Sequence, residues 1–432
     1  HKEYRRQRQM CIRDRFSGAS LLLGQVEHIR VSGADLELRR DAQGSIWVAG
    51  LLVQTPDGQD NAAMDWLFAQ PRVEVEGGHV RWVDALRDAP PLDLRDLRVL
   101  MRNTARGHEV ELQASPPARW GGPVQLRGRF ARALLSTHAG RWRDWHGQLQ
   151  AVLPQVDLAA LAPYWEAAQG IRSASGAVQC AVDLRDAQLT GGTVELALSD
   201  VDASIAGYSQ ALQLRRLSAR VAASPAEGGG MQYTIQGLEG LTHDGTAWSG
   251  IDLTLGLWPA LATGPAHGRL SVEKLDLALA ARLATHLPLA PATHMALAQL
   301  QPSGQLQALA LQWQGGWDAP TDYQVTAQVH RLGLAPYSGA GFPGIGVAGM
   351  DADITATRSG GSAAWKMTKG VLALPTVLED SRVPVDEAAA TLRWAWQDGR
   401  LRLEMQRLQF ANADLAGELG VVWTGPRAAA QA

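Results

Sequence analysis

Residues Tyr323–Val329 read Tyr-Gln-Val-Thr-Ala-Gln-Val. Tyr323, Val325, Ala327 and Val329 fall on one parity, and Gln324, Thr326 and Gln328 on the other. Successive side chains of a strand point to opposite faces, so this spacing gives one apolar and one polar face. The alternation recurs at Val194, Leu196 and Leu198, set against Glu195 and Ser199. It recurs again at Ile251, Leu253 and Leu255, set against Asp252 and Thr254. It holds from about residue 26 to about residue 423. A chain that is one-sided over such a length has either a very large sandwich or an open apolar surface with a use.

The 432 residues are 46% hydrophobic and 19% charged, ample for a core and ordinarily enough for two or three domains. A net charge of -3 provides no basic field, so nucleic acid is not expected as a partner. Cys11 and Cys180 are isolated, which argues against a disulfide framework and leaves an envelope location open. No run of 18 apolar residues is present to span a membrane, and no segment reads as a signal peptide. The chain starts with His1 rather than Met and stops within alanine-rich sequence, so it reads as a fragment. Residues 1–15 (HKEYRRQRQMCIRDR) lack alternation and are dense in Arg and Gln. They are expected to be non-native sequence or a disordered basic tail, and to stay unpacked.

Turn signals recur about every eight to twelve residues: Asp41 to Gly44, Pro56 to Gly58, Gly77-Gly78, Gly191-Gly192, Glu227 to Gly230, Gly315-Gly316, Gly360-Gly361 and Asp398-Gly399. Gly77-Gly78 and Asp398-Gly399 each separate two alternating runs in the manner of a two-residue hairpin. Three stretches read as short amphipathic helices. Asp60–Gln70 opens on a capping Asp and groups Met64, Leu67 and Phe68. Asp157–Ala168 groups Leu158, Leu161 and Trp165, and Asp276–Leu287 groups Leu277, Ala280, Leu283 and Leu287. The strands after the last two rhyme, SGAVQCAVDL from Ser175 and SGQLQALALQW from Ser303. Such weak repeats point to an extended array. The expected division is a β-rich segment 16–150 with a helix at 60–70, a second at 151–290 with helices at 157–168 and 276–287, and a third at 291–432.

Chemistry-bearing motifs are scarce. Gly344–Gly349 fits GxGxxG, but Pro343 precedes it, the alternating run Asp351–Arg358 follows it, and Lys366 stands where an acid would begin. A glycine-rich loop between strands is expected there, not a dinucleotide site. His79, His108, His243 and His330 have no Cys, Asp or Glu at ligand spacing, and His286 with His294 fits no zinc pattern. Ser209 lacks the second Gly of a nucleophile elbow. Asp84 and Asp88 flank a loop and read as turn caps. No catalytic residue, metal site or cofactor is expected. The fifteen Trp include Trp142 and Trp145 near Arg141 and Arg143, and Trp394 and Trp396 on one hairpin face. Packing is the commoner role for such residues and sugar stacking the other.

An ordered series of residues carries more. It runs through Trp66-Leu67 with Gln70, Gly78 to Trp82, Asp84, Pro91-Leu92, Leu97, Arg102-Asn103, His108, Pro116-Pro117 and Arg127-Gly128. Trp145, Gly147, Leu153-Pro154 and Asp157-Leu158 continue it, with Gly341 to Gly344, Phe410 to Asp414 and Gly417 later. This series, over nearly all of 18–425, resembles the central region of the YhdP family, within the AsmA-like group of envelope proteins. The resemblance implies a periplasmic protein of Gram-negative bacteria, anchored to the inner membrane by an N-terminal helix outside this sequence. Family members look like bridges that carry phospholipid from the inner to the outer membrane. Their implied fold is mainly β: a long twisted antiparallel sheet curled into an open U-shaped apolar groove, with a few short amphipathic helices. The resemblance brings no catalytic residues and no cofactor.

Residue chemistry agrees with that expectation. A diacyl lipid exposes roughly thirty CH2 groups, so at about 0.8 kcal/mol each its passage through water costs on the order of 25 kcal/mol. A continuous apolar face removes that barrier. The expected lining is Val194, Leu196, Leu198, Ile251, Leu253, Leu255, Tyr323, Val325 and Val329. The expected partners are phospholipid acyl chains, and the two membranes through other parts of the chain. At about 4.8 Å per strand, roughly 25 to 30 strands would make a trough of roughly 120–140 Å. Two other readings stay open: an envelope scaffold whose sheet is closed by its own helices, and a glycan-binding β-solenoid using its Trp. The lack of a carboxylate pair counts against an enzyme version of the latter.

Overall fold

The computed structural model describes residues 11–15, 26–54, 62–104, 106–132, 144–165, 168–186, 188–204, 211–261, 264–285, 291–316, 320–339, 342–375, 381–397 and 399–426. Expectations for residues 1–10, Pro56 to Gly58, Trp142, Ser209, His286 and Asp398 lie outside them. The chain divides into two compact units, one of residues 1–206, 211–224 and 239–247, the other of 207–210, 225–238 and 248–432. These units do not coincide with segments bounded at 150 and 290.

The first unit carries β1 (Cys11–Arg15), β2 (His28–Ser32), β3 (Asp35–Arg40), β4 (Ile46–Val48), β5 (Leu51–Gln54), β6 (Arg72–Asp84) and β7 (Ala89–Asn103). It continues with β8 (Gly107–Ser115), β9 (Val124–Ala131), β10 (His146–Asp157), β11 (Ile171–Arg185), β12 (Gln188–Ser204) and β13 (Ala211–Ala226). From β6 to β13 each strand pairs antiparallel with the next. The other edge of β6 takes β2 and then β3, both parallel. β14 (Gly230–Thr242) falls across the unit boundary.

The second unit holds β15 (Ala247–Trp258), β16 (His267–Asp276), β17 (Ser303–Gly315), β18 (Pro320–Gly339) and β19 (Phe342–Thr357). β20 (Gly360–Ala373), β21 (Arg382–Gln397), β22 (Arg400–Ala411) and β23 (Ala416–Pro426) complete it. From β15 to β23 every strand is antiparallel to the next. The mainly antiparallel β class read from the alternation is therefore the observed one. Gln397 of β21 pairs with Arg400 of β22, and Gly399 takes φ 73°.

Five local expectations are corrected. Gly77-Gly78 is not a hairpin: β6 runs straight through it, with a register shift between Val75 and Gly78. Gly77 takes φ 63° and forms a bulge, beside Gly33 at φ 66° where the parallel partner passes from β2 to β3. Two strands docked on one edge override the local turn signal. Gly191-Gly192 lies within β12, and Gly344–Gly349 lies within β19. Neither is a loop, because extended backbone needs no side chain to pair. Among the described residues of 157–168 the one helical element is a 3-10 turn at Ala159–Leu161, with Ala159 N–H donating to Asp157 Oδ1 at 3.0 Å. Pro163 supplies no N–H and blocks the next helical turn. Residues Cys11–Arg15 pair antiparallel with β2, against the expectation of an unpacked tail. An exposed strand edge offers free backbone groups to any extended segment, whatever its side chains.

Three helices are described: α1 (Ala62–Ala69), α2 (Leu277–Ala284) and α3 (Pro291–Leu300). The first two sit where the apolar grouping puts them. The third falls in a stretch read as strand-rich; Pro291 stands at its first position, where its fixed φ suits a helix start. Asp276 caps α2, accepting from Leu279 N–H at 2.8 Å. Asp276→Ala is expected to lower stability by about 1 kcal/mol in urea unfolding. Among the described residues no helix is long and apolar enough to cross a membrane.

Many strands bend at one residue with left-handed backbone. These include Asp96 in β7, Ala308 in β17, Arg331 in β18, Gly349 in β19, Lys369 in β20 and Arg407 in β22, with φ between 50° and 85°. Register shifts accompany most of them. Each such bulge bends its strand and increases the local twist. Buried clusters gather near them: Val80, Leu97 and Ala114 in the first unit, and Leu306, Ala327, Val329 and Leu332 in the second.

Candidate functional site

Register turns the alternation of single strands into rows that cross many strands. In the first unit one row joins Val31, Val75, Val99, Leu112, Leu126, Ala151, Cys180, Val194 and Val221, nine strands without a polar residue. The parallel row joins Ile29, Val73, Met101, Val110, Gly128, Leu149, Val182, Gly192 and Ala223. The second unit repeats the pattern. Leu253, Val272, Leu309, Ala327, Ile354, Ala363, Leu392, Met405 and Val421 form one row of nine. Leu255, Leu270, Leu311, Val325, Ala356, Gly361, Trp394, Leu403 and Trp423 form the next. Eight inter-strand steps at about 4.8 Å make each row roughly 38 Å long.

The opposite parity is polar. Gln312, Gln324 and Thr357 succeed one another across β17 to β19. In the first unit Glu195 faces Arg220 at 3.2 Å, and Arg102 approaches Glu109 and Glu111 at 4.0 and 3.7 Å. Exposed pairs of this kind contribute little stability. Their effect is to keep that face in water.

The nine expected lining residues all stand on the apolar parity, four (Val194, Leu253, Leu255 and Val325) in these rows and the others on flanking positions. Val194, Leu196, Leu253, Leu255, Tyr323 and Val325 are half-buried. Leu198, Ile251 and Val329 are buried, at 5%, 6% and 5% exposure. Val329 belongs to the cluster with Leu306 and Leu332, against which Leu277 of α2 packs. It is a core position, whereas the half-buried six keep part of their surface uncovered. Val194, Leu196 and Leu198 sit together in the first unit, and the other six in the second.

Sequence reading missed how the aromatic residues are used. Trp313 lies directly across from Gly268, and a Cβ added to Gly268 would fall 2.1 Å from its ring. Trp394 covers Gly361 in the same way, at 2.4 Å, and Phe130 covers Gly128 at 2.5 Å. Glycine opposite an aromatic ring lets the ring lie flat along the sheet. Packing along the apolar face is therefore the role of these rings.

A polar knot at one end of the first unit was also missed. Gln70 follows α1 and is fully buried; its Oε1 accepts from Val26 N–H at 2.7 Å and its Nε2 donates to the Trp66 carbonyl at 2.6 Å. Asn103 Nδ2 donates to the Gln70 carbonyl at 2.7 Å, and Asn103 Oδ1 meets His108 Nδ1 at 2.8 Å. His108 stacks on Trp145 with centroids 4.2 Å apart, and Phe68 meets both rings edge-on. The knot fastens α1 to β7, β8 and the segment before β10. Its members are scattered along the chain, and of them the family-like series held Gln70, Asn103, His108 and Trp145.

Burial pulls the His108 imidazole down to about 4 from its ordinary 6.5, and the Arg132 charge adds to this. The unfolded chain therefore takes up the proton first. Stability is full above about pH 7 and falls as pH drops from 6.5 toward 4, by about 3 kcal/mol. Urea unfolding at pH 7 and pH 4 should show that loss in the native chain and a shallower one in His108→Gln. An equal loss in both would assign the acid sensitivity to carboxylates instead.

Among the described residues no three His, Cys, Asp or Glu side chains gather to hold a metal. Asp84 accepts from Arg87 N–H at 3.3 Å as a turn cap, and its carboxylate also meets Arg40 Nε at 3.4 Å. What the two units do share is long uninterrupted apolar rows on one face and charge on the other. No curated protein and no solved structure matches the chain. The family model described as YhdP protein matches residues 19–426, from before β2 to the end of β23. With nearly its whole length matched, the chain belongs to the YhdP protein family.

Proposed function

We propose that this chain is a segment of a periplasmic bridge that conducts phospholipid between the inner and outer membranes, with acyl chains lying on the apolar rows. One observation carries the reading: nine-strand rows without a polar residue, in which Leu253, Leu255 and Val325 of the expected lining are only half-buried. An ordinary two-layer domain buries such a face completely. Here an acyl chain supplies the missing contact.

Family membership supports an AsmA-like envelope protein anchored to the inner membrane by a helix outside this sequence. The chemistry is transfer, not bond-making, so the chain is not an enzyme. The headgroup stays on the wet side and contributes little to selection.

A scaffold with no lipid path is the second reading. It draws on Leu277 of α2, which covers part of the apolar face in the second unit. Mass spectrometry of the chain, purified without detergent exchange from a Gram-negative host, separates the two. Bound phospholipid of mixed headgroup is expected. A folded chain free of lipid would leave the scaffold reading.

A further inference from the structure

The polar face of the second unit is not uniform. Over β18 to β22 it is hollowed into a cavity of about 990 Å³. The lining residues all lie within strands. Ala364 and Ala389 stand on the polar parity, paired with Thr391 and Lys366, and both are exposed. Their short side chains make a floor, and the longer ones around them a rim. Clefts of roughly 300–1,000 Å³ take a small organic molecule, so this one is too large for a lone ion to fill.

Its titratable rim is His330, Asp351, Asp353, Lys366, Arg393 and Arg407. Asp351 is already held: its Oδ1 is 3.5 Å from His330 Nδ1 and accepts from Arg331 N–H at 2.9 Å. Lys366, Arg393 and Arg407 are exposed, and among the described residues none of the three makes an ion pair or a side-chain hydrogen bond. Three free cations therefore face one carboxylate, Asp353, that has no partner of its own. Arg407 reaches the cavity through a bulge. Ala389 pairs with Gln409 and Thr391 with Gln406, which leaves Arg407 and Leu408 across from Ala390 alone. Arg407 takes φ 50°, a left-handed backbone uncommon outside glycine. Bulges re-aim side chains and recur beside functional sites. At about 3.4 Å per residue and 4.8 Å per strand, the Cα atoms of Lys366 and Arg393 are roughly 14 Å apart, with Arg407 at a level between them.

We infer that this hollow binds a phosphorylated saccharide, its phosphate held by Lys366, Arg393 and Arg407 and its hydroxyl or amino groups by Gln328, Thr391 and Asp353. Two guanidinium forks and an ammonium supply the charge-assisted donors that a phosphate takes. The amide, hydroxyl and carboxylate on the same rim supply both donors and an acceptor, which suits a polyhydroxyl body and not an apolar one. The size of the hollow fits such a body attached to the phosphate. The site opens on the face opposite the apolar rows, so it stands whether or not those rows carry lipid.

The test is calorimetric titration of the full chain at low salt with glucosamine 6-phosphate, glucosamine and inorganic phosphate. Saturable binding of glucosamine 6-phosphate is expected, weakened by added salt, with each of the other two about tenfold weaker or more. Arg407→Gln and Lys366→Gln should each weaken it about tenfold, the factor for one charge-assisted hydrogen bond. Arg402→Gln, whose side chain pairs with Glu404 outside the cavity, should leave it unchanged. Thermal midpoints of the Arg407 and Lys366 variants should match that of the native chain, because neither side chain has a partner to lose. No saturable binding of the sugar phosphate would overturn the inference. Equal binding by the native chain and both folded variants would overturn it too, since the ligand would then sit elsewhere. Inorganic phosphate bound as tightly as glucosamine 6-phosphate would overturn the saccharide assignment.

Discussion

Val325→Glu is expected to slow lipid passage roughly a hundredfold, and Gln328→Glu to leave it nearly unchanged. Val325 stands in the row between Leu311 and Ala356, with apolar neighbours on both flanking strands. A carboxylate there meets acyl chain instead of water. A charge facing hydrocarbon costs about 2.5–3.5 kcal/mol on insertion scales, and each 1.4 kcal/mol is a factor of about ten. Rows act in series, so a barrier on one strand throttles the whole route. Gln328 is exposed on the other parity and pairs with Gln307 and Asp353. The comparison is made in the full-length protein by lipid transfer and outer-membrane integrity. Val325 is half-buried, so the fold should survive the substitution better than it would at Val329. Equal behaviour of two folded variants would remove this face from the lipid path.

Gly147→Ala should destabilise the first unit by about 2–3 kcal/mol, a large effect for one methyl group. Gly147 lies in β10 opposite Phe130 of β9 and Leu184 of β11. A Cβ added there would sit 2.0 Å from the Arg129 carbonyl oxygen and 2.8 Å from the Phe130 Cα. Both obstacles are backbone, so relief requires β9 and β10 to move apart. That motion also disturbs the ring of Phe130, which leans on Trp145 with centroids 5.6 Å apart. Gly122→Ala is the control, because its nearest obstacle is 3.7 Å away. Thermal unfolding should separate the two variants clearly. Matching midpoints would mean that β10 yields without strain.

How much of this could be read from the chain follows from the range of each signal. Period-two alternation is local, so Val194 to Leu198, Ile251 to Leu255 and Tyr323 to Val329 all lie in strands, on the apolar parity. Register is not local. Nothing in Tyr323–Val329 says that Val325 will face Leu311 on one side and Ala356 on the other, so the rows appear only when strands are paired. Local turn signals fail where a neighbour decides. Gly77-Gly78 looks like a hairpin, yet β2 and β3 both dock on β6 across it. Asp157–Ala168 has helical spacing, but Pro163 stops it after one turn. The knot joins Asn103 to the Gln70 backbone carbonyl and to the His108 side chain, which no spacing rule encodes.

Lipid conduction on the apolar parity is most directly tested by cross-linking along one row and its polar neighbour. Benzoylphenylalanine is placed singly at Leu255, Leu311, Val325 and Leu403, which share a row over β15, β17, β18 and β22. It is also placed at Gln312, Gln324 and Arg402, one residue away on the polar face. After irradiation in the native envelope, phospholipid adducts are expected at all four apolar positions and at none of the polar three. Adducts at both sets alike, or at neither in a folded protein, would contradict a lipid path on this sheet.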